Sequence, residues 1–184
     1  MRTAVVWQVF LGVLVGAAAC STTTPGTPVP GSDSQSIARS TSIPTEPADS
    51  PAGPLAKVDP CDLVTTDARA ELGLPGKGRE EKIGRARQCS WSIRGTSAKE
   101  VLDLSVAVYD TLGVKDIVAK GEVKTIPAIG AHDAAYWTGI ADNCVYSLAV
   151  SATTRVDVAG TGPVFDRSCD YASRTVKLVE PNLP

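Results

Sequence analysis

Apolar and polar residues alternate in several short stretches between residues 88 and 158. Between residues 102 and 109 every second position is Leu or Val, while the positions between them are mostly polar or small. A period of two places the apolar side chains on one face of a strand. The same pattern over residues 88–94, 134–138, 144–151 and 155–158 predicts four more strands. Pro127 cannot donate to a ladder, so residues 126–130 are expected to be irregular or an edge strand.

Three other segments show the spacing of amphipathic helices. Residues 65–72 begin with threonines that can cap a helix and are followed by Gly73, which can close it. A second helix is predicted over residues 112–120, with Ile117 and Val118 facing inward. The third begins at Pro163 and ends at Pro181. Its buried stripe is predicted to comprise Phe165, Cys169, Ala172, Val176 and Val179.

These elements follow one another in the order α-β-β-α-β-β-β-α. Short connections between consecutive strands favour hairpins, so the predicted sheet is antiparallel. Runs of strands combined with a few amphipathic helices indicate an α+β domain, with helices covering the antiparallel sheet. We expect this single domain to occupy residues 55–184.

The first nineteen residues have the pattern of an export signal. Arg2 supplies one positive charge, residues 4–19 carry none, and the apolar run is shorter than the roughly 20 residues of a membrane-spanning helix. Small residues at positions 16–19 precede Cys20, and this arrangement resembles a bacterial lipobox. The resemblance implies cleavage before Cys20, a lipid on its thiol and an acyl chain, such as palmitate, on its new amino group. An ordinary secretory signal and an uncleaved anchor are the alternatives.

A polar segment separates Cys20 from the predicted domain. Residues 21–54 contain seven Pro, seven Ser and six Thr but no aromatic residue. Such a composition cannot bury enough apolar surface to offset the entropy of ordering, so residues 20–54 are expected to form a disordered tether behind the lipidated cysteine. An O-glycosylated stalk is the alternative.

The charge and the composition exclude some classes of function. The net charge of −2 argues against nucleic-acid binding, which usually needs a basic excess. The single histidine excludes metal sites with two imidazole ligands. Aromatic residues make up 5% of the chain, which leaves little material for stacking bases or sugars.

Four cysteines remain once Cys20 is assigned to a lipid, and an even number in an exported domain indicates disulfides. Four cysteines allow three pairings. We favour Cys61–Cys89 and Cys144–Cys169, because each bond would tie a helix to the sheet. A Cys61–Cys144 bond, or free thiols, would contradict this pairing.

The surroundings of these cysteines resemble a known family of small actinobacterial lipoproteins, domain of unknown function 3558. The resemblance rests on Asp59-Pro60-Cys61-Asp62-Leu63-Val64-Thr65, on Cys89-Ser90-Trp91, on Cys144 in a strand and on Cys169 in the last helix. It implies a lipid-anchored exterior domain with two disulfides. It implies no activity and therefore no catalytic residues.

Several residues are candidates for chemistry, each with a simpler interpretation. His132 lies beside Asp133, but no G-x-S-x-G motif accompanies it, so a surface or turn histidine is favoured. Gly160-Thr161-Gly162 precedes a helix, where anions can bind, although a strand-to-helix turn explains it as well. A basic group could contact anionic head groups or wall polymers, or could be a solvated hairpin edge; it comprises Lys77, Arg79, Lys82, Arg85 and Arg87. Four aromatic residues could line a pocket: Trp91, Tyr136, Trp137 and Tyr146.

The sequence favours a non-enzymatic envelope lipoprotein. We expect it to lie on the outer face of the cell membrane, held by lipid on Cys20, and to bind an envelope protein, a lipid or a wall component. The alternatives are an envelope hydrolase or transferase, and a sensor or accessory subunit of a membrane complex. No catalytic residue, metal or cofactor is assigned, and no nucleic-acid partner is expected.

Overall fold

The computed structural model describes residues 53–184. The signal segment, Cys20 and residues 20–52 of the predicted tether lie outside the described residues, so the expectations for them stay predictions.

Seven strands form one sheet in which every neighbouring pair is antiparallel. The spatial order is β1-β2-β3-β7-β6-β5-β4, which places β7 at the centre. The strands are β1 (Arg79–Ile83), β2 (Ala86–Ile93), β3 (Leu102–Tyr109), β4 (Lys124–Ile129), β5 (His132–Thr138), β6 (Cys144–Ser151) and β7 (Thr154–Thr161). The α-helices are α1 (Thr66–Leu72) and α2 (Phe165–Val179).

Alternation along the strands builds the core on one face of the sheet. In β3 the predicted apolar positions are all buried, and Val106 lies across from Cys89 of β2 and Val158 of β7. The strand prediction for residues 88–94, 102–109, 134–138, 144–151 and 155–158 is therefore confirmed, with shifts of a few residues at the ends.

Both terminal helices begin and end close to where the sequence predicts. In α1 the hydroxyl of Thr65 accepts from the amide of Ala68 at 3.2 Å, and Gly73 closes the helix with a φ of 66°. In α2 the side chains of Ala172, Val176 and Val179 are fully buried against the sheet. The other end of the predicted stripe differs: Phe165 is 38% exposed.

The prediction of a helix over residues 112–120 is wrong. Residues 110–123 instead form an irregular segment with one short 3-10 turn, Val114–Asp116. It leaves the end of β3, crosses the sheet on the face opposite α2, and reaches β5, where the amide of Lys120 donates to the carbonyl of Thr138 at 2.8 Å. Val118, expected to face inward, is 73% exposed.

The two edge strands deviate most from simple alternation. β1 was not predicted, because four of its five residues are charged and four are exposed. An edge strand with charged side chains resists pairing with other chains. β4 contains Pro127, and its register with β5 shifts between Ile126 and Ile129. Residues 126–129 therefore lie in an irregular edge strand, and Gly130 begins the turn to β5.

The fold is an antiparallel sheet of seven strands with two helices and two disulfides. The helices do not clearly cover the sheet: α2 packs on β7, β6 and β3, while the other face carries no α-helix in the described residues. Both predicted disulfides are confirmed. Cys61 is bonded to Cys89, and Cys144 is bonded to Cys169, with Cα–Cα distances of 5.0 and 5.1 Å.

Candidate functional site

The helix-free face of the sheet is divided into a sealed half and an open half. Residues 110–123 lie across β7 and β6 and reach β5, and they seal the buried polar groups of that half. A cleft of about 350 Å³ stays open beside them, with Val114, Asp133 and Ala135 in its lining. Over β1, β2 and β3 the same face is left open. The two halves carry polar groups of different kinds, and they are described in turn.

The sealed half contains a chain of hydrogen bonds among side chains from three neighbouring strands, β5, β6 and β7. The indole nitrogen of Trp137 donates to Ser147 Oγ at 2.9 Å, and Ser147 Oγ donates to Asp157 Oδ1 at 2.6 Å. The Nε of Arg155 lies 3.0 and 3.1 Å from the two carboxylate oxygens of Asp157. Arg155 and Asp157 are each 4% exposed, and Ser147 is fully buried.

Arg155 also holds the segment that covers it. Its Nη1 donates to the carbonyl oxygens of Leu112 and Gly113 at 3.2 and 2.8 Å. Its guanidinium stacks on the ring of Tyr109, 3.9 Å from the centroid, in the geometry of a cation–π contact. One buried cation therefore connects the sheet to residues 110–113.

Burial dominates the electrostatics of this network. Loss of water raises the pKa of the Asp157 carboxyl, while the guanidinium of Arg155 and the hydroxyl of Ser147 act in the opposite direction. Burial also raises the pKa of Tyr109. The network satisfies its own polar atoms and is closed to solvent, so it can stabilise the covering segment but offers no nucleophile to a substrate.

The open half carries a groove of about 330 Å³ on the strands β1, β2 and β3. Its lining is mostly hydroxyl, amide and charged groups: Arg79, Glu81, Gln88, Ser90, Ser92, Asp103, Ser105 and Thr161, with Leu104. Ser90 Oγ donates to Glu81 Oε1 at 2.8 Å, and Ser92 Oγ donates to Asp103 Oδ1 at 2.5 Å. These contacts fix the carboxylates at the surface, where they keep free acceptor sites.

A second groove, of about 450 Å³, lies where the described chain begins. Arg87 organises it: its Nε and Nη2 bind both carboxylate oxygens of Asp110 at 3.0 and 2.9 Å. Nη2 also donates to the carbonyl of Leu55 at 2.7 Å, and Nη1 donates to that of Val58. Arg87 therefore fixes the first residues of the domain on the sheet.

Three potential metal ligands meet beside this groove, namely Asp59, Cys61 and Glu80. Cys61 is bonded to Cys89 and has no thiolate to offer. The ammonium group of Lys77 already lies 3.6 Å from Asp59 and 3.9 Å from Glu80. A disulfide and a lysine thus occupy the positions that a cation would need, and the cluster is a set of surface ion pairs.

The four aromatic residues considered for a pocket lie on different faces of the sheet. Trp91 is 2% exposed in the core, and Tyr136 and Tyr146 pack on each other beside α2 with ring centroids 5.3 Å apart. Trp137 follows Tyr136 in β5 and therefore points to the helix-free face. The four side chains do not surround a single cavity.

His132 lies at the end of α2 and away from both grooves. Its Nδ1 is 2.8 Å from Glu180 Oε1, which also accepts from the amide of Ala131 at 2.8 Å. The Ala131 amide, followed by the His132 ring, lowers the pKa of Glu180. No serine hydroxyl is hydrogen-bonded to His132 within residues 53–184, and the pair connects the β4–β5 turn to the C-terminal segment.

Gly160, in the glycine-containing segment before α2, is explained by packing. A Cβ on Gly160 would lie 2.1 Å from the carbonyl oxygen of Ser168, so the helix approaches the strand too closely for any side chain. The simpler interpretation of Gly160, a strand-to-helix turn, is therefore the correct one.

The five residues of the basic group differ in whether they are paired with acidic residues. Lys77 is paired with Asp59, Asp62 and Glu80, Arg79 lies 3.4 Å from Glu81, and Arg87 is held by Asp110. Lys82 and Arg85 form no ion pair in the described part of the chain and are exposed. The group therefore does not form one continuous basic surface.

The chain matches one known family of proteins. The family described as "Protein of unknown function (DUF3558)" matches residues 15–182. The chain belongs to the DUF3558 family. The resemblance to this family, seen around the cysteines, is thus confirmed, and the DUF3558 match includes Cys20 and residues 21–52. No curated protein and no solved structure matches the chain. Within residues 53–184, no helix is both long enough and apolar enough to cross a membrane.

Proposed function

We propose that this DUF3558 protein is a lipid-anchored module of the cell envelope that binds a polar partner through the open half of its helix-free sheet face. The observation that carries the proposal is the contrast between the two halves of that face. One half is sealed by residues 110–123 and satisfies its own polar groups, whereas the groove over β1, β2 and β3 leaves hydroxyls and carboxylates facing solvent.

The chemistry of the groove favours a polar partner such as a protein or a wall polymer. Carboxylate oxygens, the Gln88 amide and several hydroxyls can exchange hydrogen bonds with peptide or hydroxyl groups. The strands that carry them pair along their length with neighbouring strands, and the Cys61–Cys89 bond ties β2 to the segment before α1. A rigid, preorganised surface loses little entropy when it binds.

A binding role also fits the position of the nucleophiles. The serine that contacts a buried carboxylate, Ser147, has no exposed surface, and His132 contacts Glu180 at the C-terminal end of α2. An envelope hydrolase or transferase would need these groups to converge in an accessible cleft. An accessory subunit of a membrane complex is one form that the binding module could take.

The lipid anchor is argued from the sequence. Cys20 directly follows the small residues that end an apolar run, and the family match includes it. Several acyl chains would hold the domain at the membrane almost permanently, since each buried CH₂ contributes about 0.8 kcal/mol. The outer face of the membrane is the location that such a signal implies.

Site-specific crosslinking in cells tests the binding surface. A photoreactive residue replacing Ser105, in the groove, should capture a partner of defined mass. The same residue replacing Glu71, which is exposed on α1, is the matched control. Equal capture at both positions, or capture from Glu71 alone, would refute a partner on the open half of the face.

Mass spectrometry of the detergent-extracted protein tests the anchor. We expect a mature chain that begins at Cys20 and carries the mass of acyl chains, and we expect Cys20→Ala to release the domain from membranes. A mature form that begins elsewhere, or one without added lipid mass, would contradict the anchor.

A further inference from the structure

The turn between β1 and β2 forms an exposed, basic and apolar tip. This basic tip consists of Lys82, Ile83, Gly84 and Arg85. Ile83 is 53% exposed, although it is a large apolar residue, and the two cations beside it are exposed as well. Gly84 has a φ of 57°, which lets the chain reverse tightly and present the two neighbouring side chains at the end of the hairpin.

The charge of the basic tip is not neutralised by the described part of the protein. Neither Lys82 nor Arg85 forms an ion pair within residues 53–184, whereas the other cations of β1 and β2 do. The nearest acids along β1 are Glu80 and Glu81, which contact Lys77 and Arg79. The end of the hairpin therefore carries two unpaired positive charges.

The basic tip lies at the end of the domain where the chain enters from residue 52. Arg85 Nη2 donates to Thr111 Oγ1 at 3.0 Å, and a Cβ on Gly53 would lie 3.6 Å from the carbonyl oxygen of Asp110, the preceding residue. Lys57, which is exposed and lines the groove beside Arg87, adds a third cation to this region.

We propose that the basic tip contacts the anionic head groups of the membrane to which the chain is anchored. This inference rests on the lipid anchor in the proposed function. A chain anchored through Cys20 must reach the domain at Gly53, so this end has the shortest path to the bilayer. Basic side chains near a membrane surface are attracted by anionic lipids, and an exposed isoleucine can enter the boundary between head groups and acyl chains.

The opposite end of the sheet has a different surface. Ile140, in the β5–β6 turn, and Val118 are each 73% exposed. The nearby Lys120 is paired with Asp142 at 2.5 Å, so it offers no free charge beside these apolar residues. The exposed cations of this end, Arg94 and Lys99, lie in the β2–β3 connection, and β7 separates that connection from Ile140. An eight-residue strand spans about 26 Å, which separates this end from the membrane when the basic tip is in contact. With the basic tip on the membrane, the groove over β1, β2 and β3 would face parallel to the membrane surface, where a partner can reach it.

Vesicle flotation of the mature chain that begins at residue 20, with Cys20→Ala, tests the contact without the lipid and without the apolar signal segment. We expect binding to vesicles with equal amounts of phosphatidylglycerol and phosphatidylcholine, and little binding to phosphatidylcholine alone. The double variant Lys82→Gln/Arg85→Gln should bind about 30-fold more weakly, since each basic residue contributes about fivefold near an anionic surface. Added salt should reduce this difference.

A matched pair of charges controls for net charge. Arg94→Gln/Lys99→Gln removes two exposed cations from the β2–β3 connection, at the other end of the sheet, and should weaken binding much less. Ile83→Ser should weaken binding while leaving its salt dependence unchanged. Thermal unfolding of each variant verifies that it folds.

Three results would overturn the proposal: no preference for phosphatidylglycerol, equal losses in the two double variants, or tip-dependent binding to soluble polyphosphate with none to vesicles. Failure of the anchor would be seen separately, as an unchanged membrane fraction when Cys20→Ala is compared with the native chain in cells. The vesicle experiment therefore tests the basic tip, and the membrane fraction in cells tests the lipid anchor.

Discussion

Removing the carboxylate of Asp157 should destabilise the domain more than any surface substitution. Asp157→Ala would leave the guanidinium of Arg155, which is 4% exposed, without its anionic partner. It would also remove the acceptor of the Ser147 hydroxyl, 2.6 Å away. The substitution therefore leaves a buried charge without its anionic partner and a buried hydroxyl without an acceptor for its proton, at the centre of the sheet.

The expected loss follows from the cost of an uncompensated buried charge. Breaking a buried ion pair by removing one partner costs about 3–5 kcal/mol. For a domain of this size the melting temperature should fall by about 10–20 °C. Replacing both partners with apolar residues is less costly, because no charge is left buried. We therefore expect Arg155→Met/Asp157→Leu to be less destabilised than the sum of its single variants, by about 2–3 kcal/mol.

Urea unfolding of the disulfide-intact protein measures these free energies. The exposed pair Lys120–Asp142 provides the matched control, since its side chains are 59% and 67% exposed. The same double-variant cycle on that pair should give a coupling below about 1 kcal/mol. Amide hydrogen exchange gives a local readout: Arg155→Met should accelerate exchange in residues 112–117, because Arg155 binds the carbonyls of Leu112 and Gly113.

Additive losses in the Arg155–Asp157 cycle would refute this reasoning. A loss of unfolding free energy below about 1 kcal/mol for Asp157→Ala would also refute it, because a loss that small is typical of a surface ion pair and not of a buried one. Unchanged exchange in residues 112–117 would show that the covering segment is held by other contacts.

Three more predictions concern the turns, the disulfides and acid stability. Gly130→Ala should destabilise more than Gly84→Ala although both have a φ of 57°, because only at Gly130 would the Cβ collide with a neighbour, lying 2.0 Å from Glu180 Oε2; equal losses in urea unfolding would contradict this. Replacing Cys61 and Cys89 by serine should cost about 3–4 kcal/mol in the chain-entropy account of a loop of this length, and an unchanged urea midpoint would contradict that account. The pKa of Glu180 is lowered in the fold, so its charged form stabilises the protein. That contribution is complete above the ordinary pKa of 4.5 and is lost as the pH falls through the lower folded value. The free energy of unfolding should therefore decrease more on acidification in the native protein than in Glu180→Gln, and parallel acid profiles would contradict this.

Much of the sheet could be predicted from the sequence, because a half-buried strand must alternate. In β3 and β6 the apolar period of two shows in the residues themselves, and both strands lie where the sequence places them. The pairing of Cys61 with Cys89 was also predicted, because a bond that ties a helix to an adjacent strand was favoured among three possibilities. Family membership followed from the motifs around the same cysteines.

The strand β1 and the segment 110–123 could not be predicted in this way. An edge strand such as Arg79–Ile83 is solvated on both faces, so its side chains carry no apolar period. Residues 112–120 have helical spacing, but Arg155 takes the carbonyls of Leu112 and Gly113, which a helix would need for its own amides. Tertiary contacts thus overrode a local preference that was weak for so short a segment.

The candidate site itself depends on the order of strands in space. Arg155 and Asp157 alternate with Val156 and Val158, which on a two-layer sheet would indicate charges in water. Both residues are buried because β7 is the central strand and residues 110–123 cover it. The local pattern of residues does not indicate which strand will be central.

The amino-acid sequence by itself determined the short-range features of this protein: the period of its strands, the caps and stripes of its helices and the available cysteines. These depend on residues a few positions apart. Only the tertiary structure decided which half of the helix-free face is sealed, which cations stay unpaired and which end of the sheet meets residue 53. Those properties depend on residues far apart in the chain whose side chains compete for the same partners, and the strand order decides which of them meet.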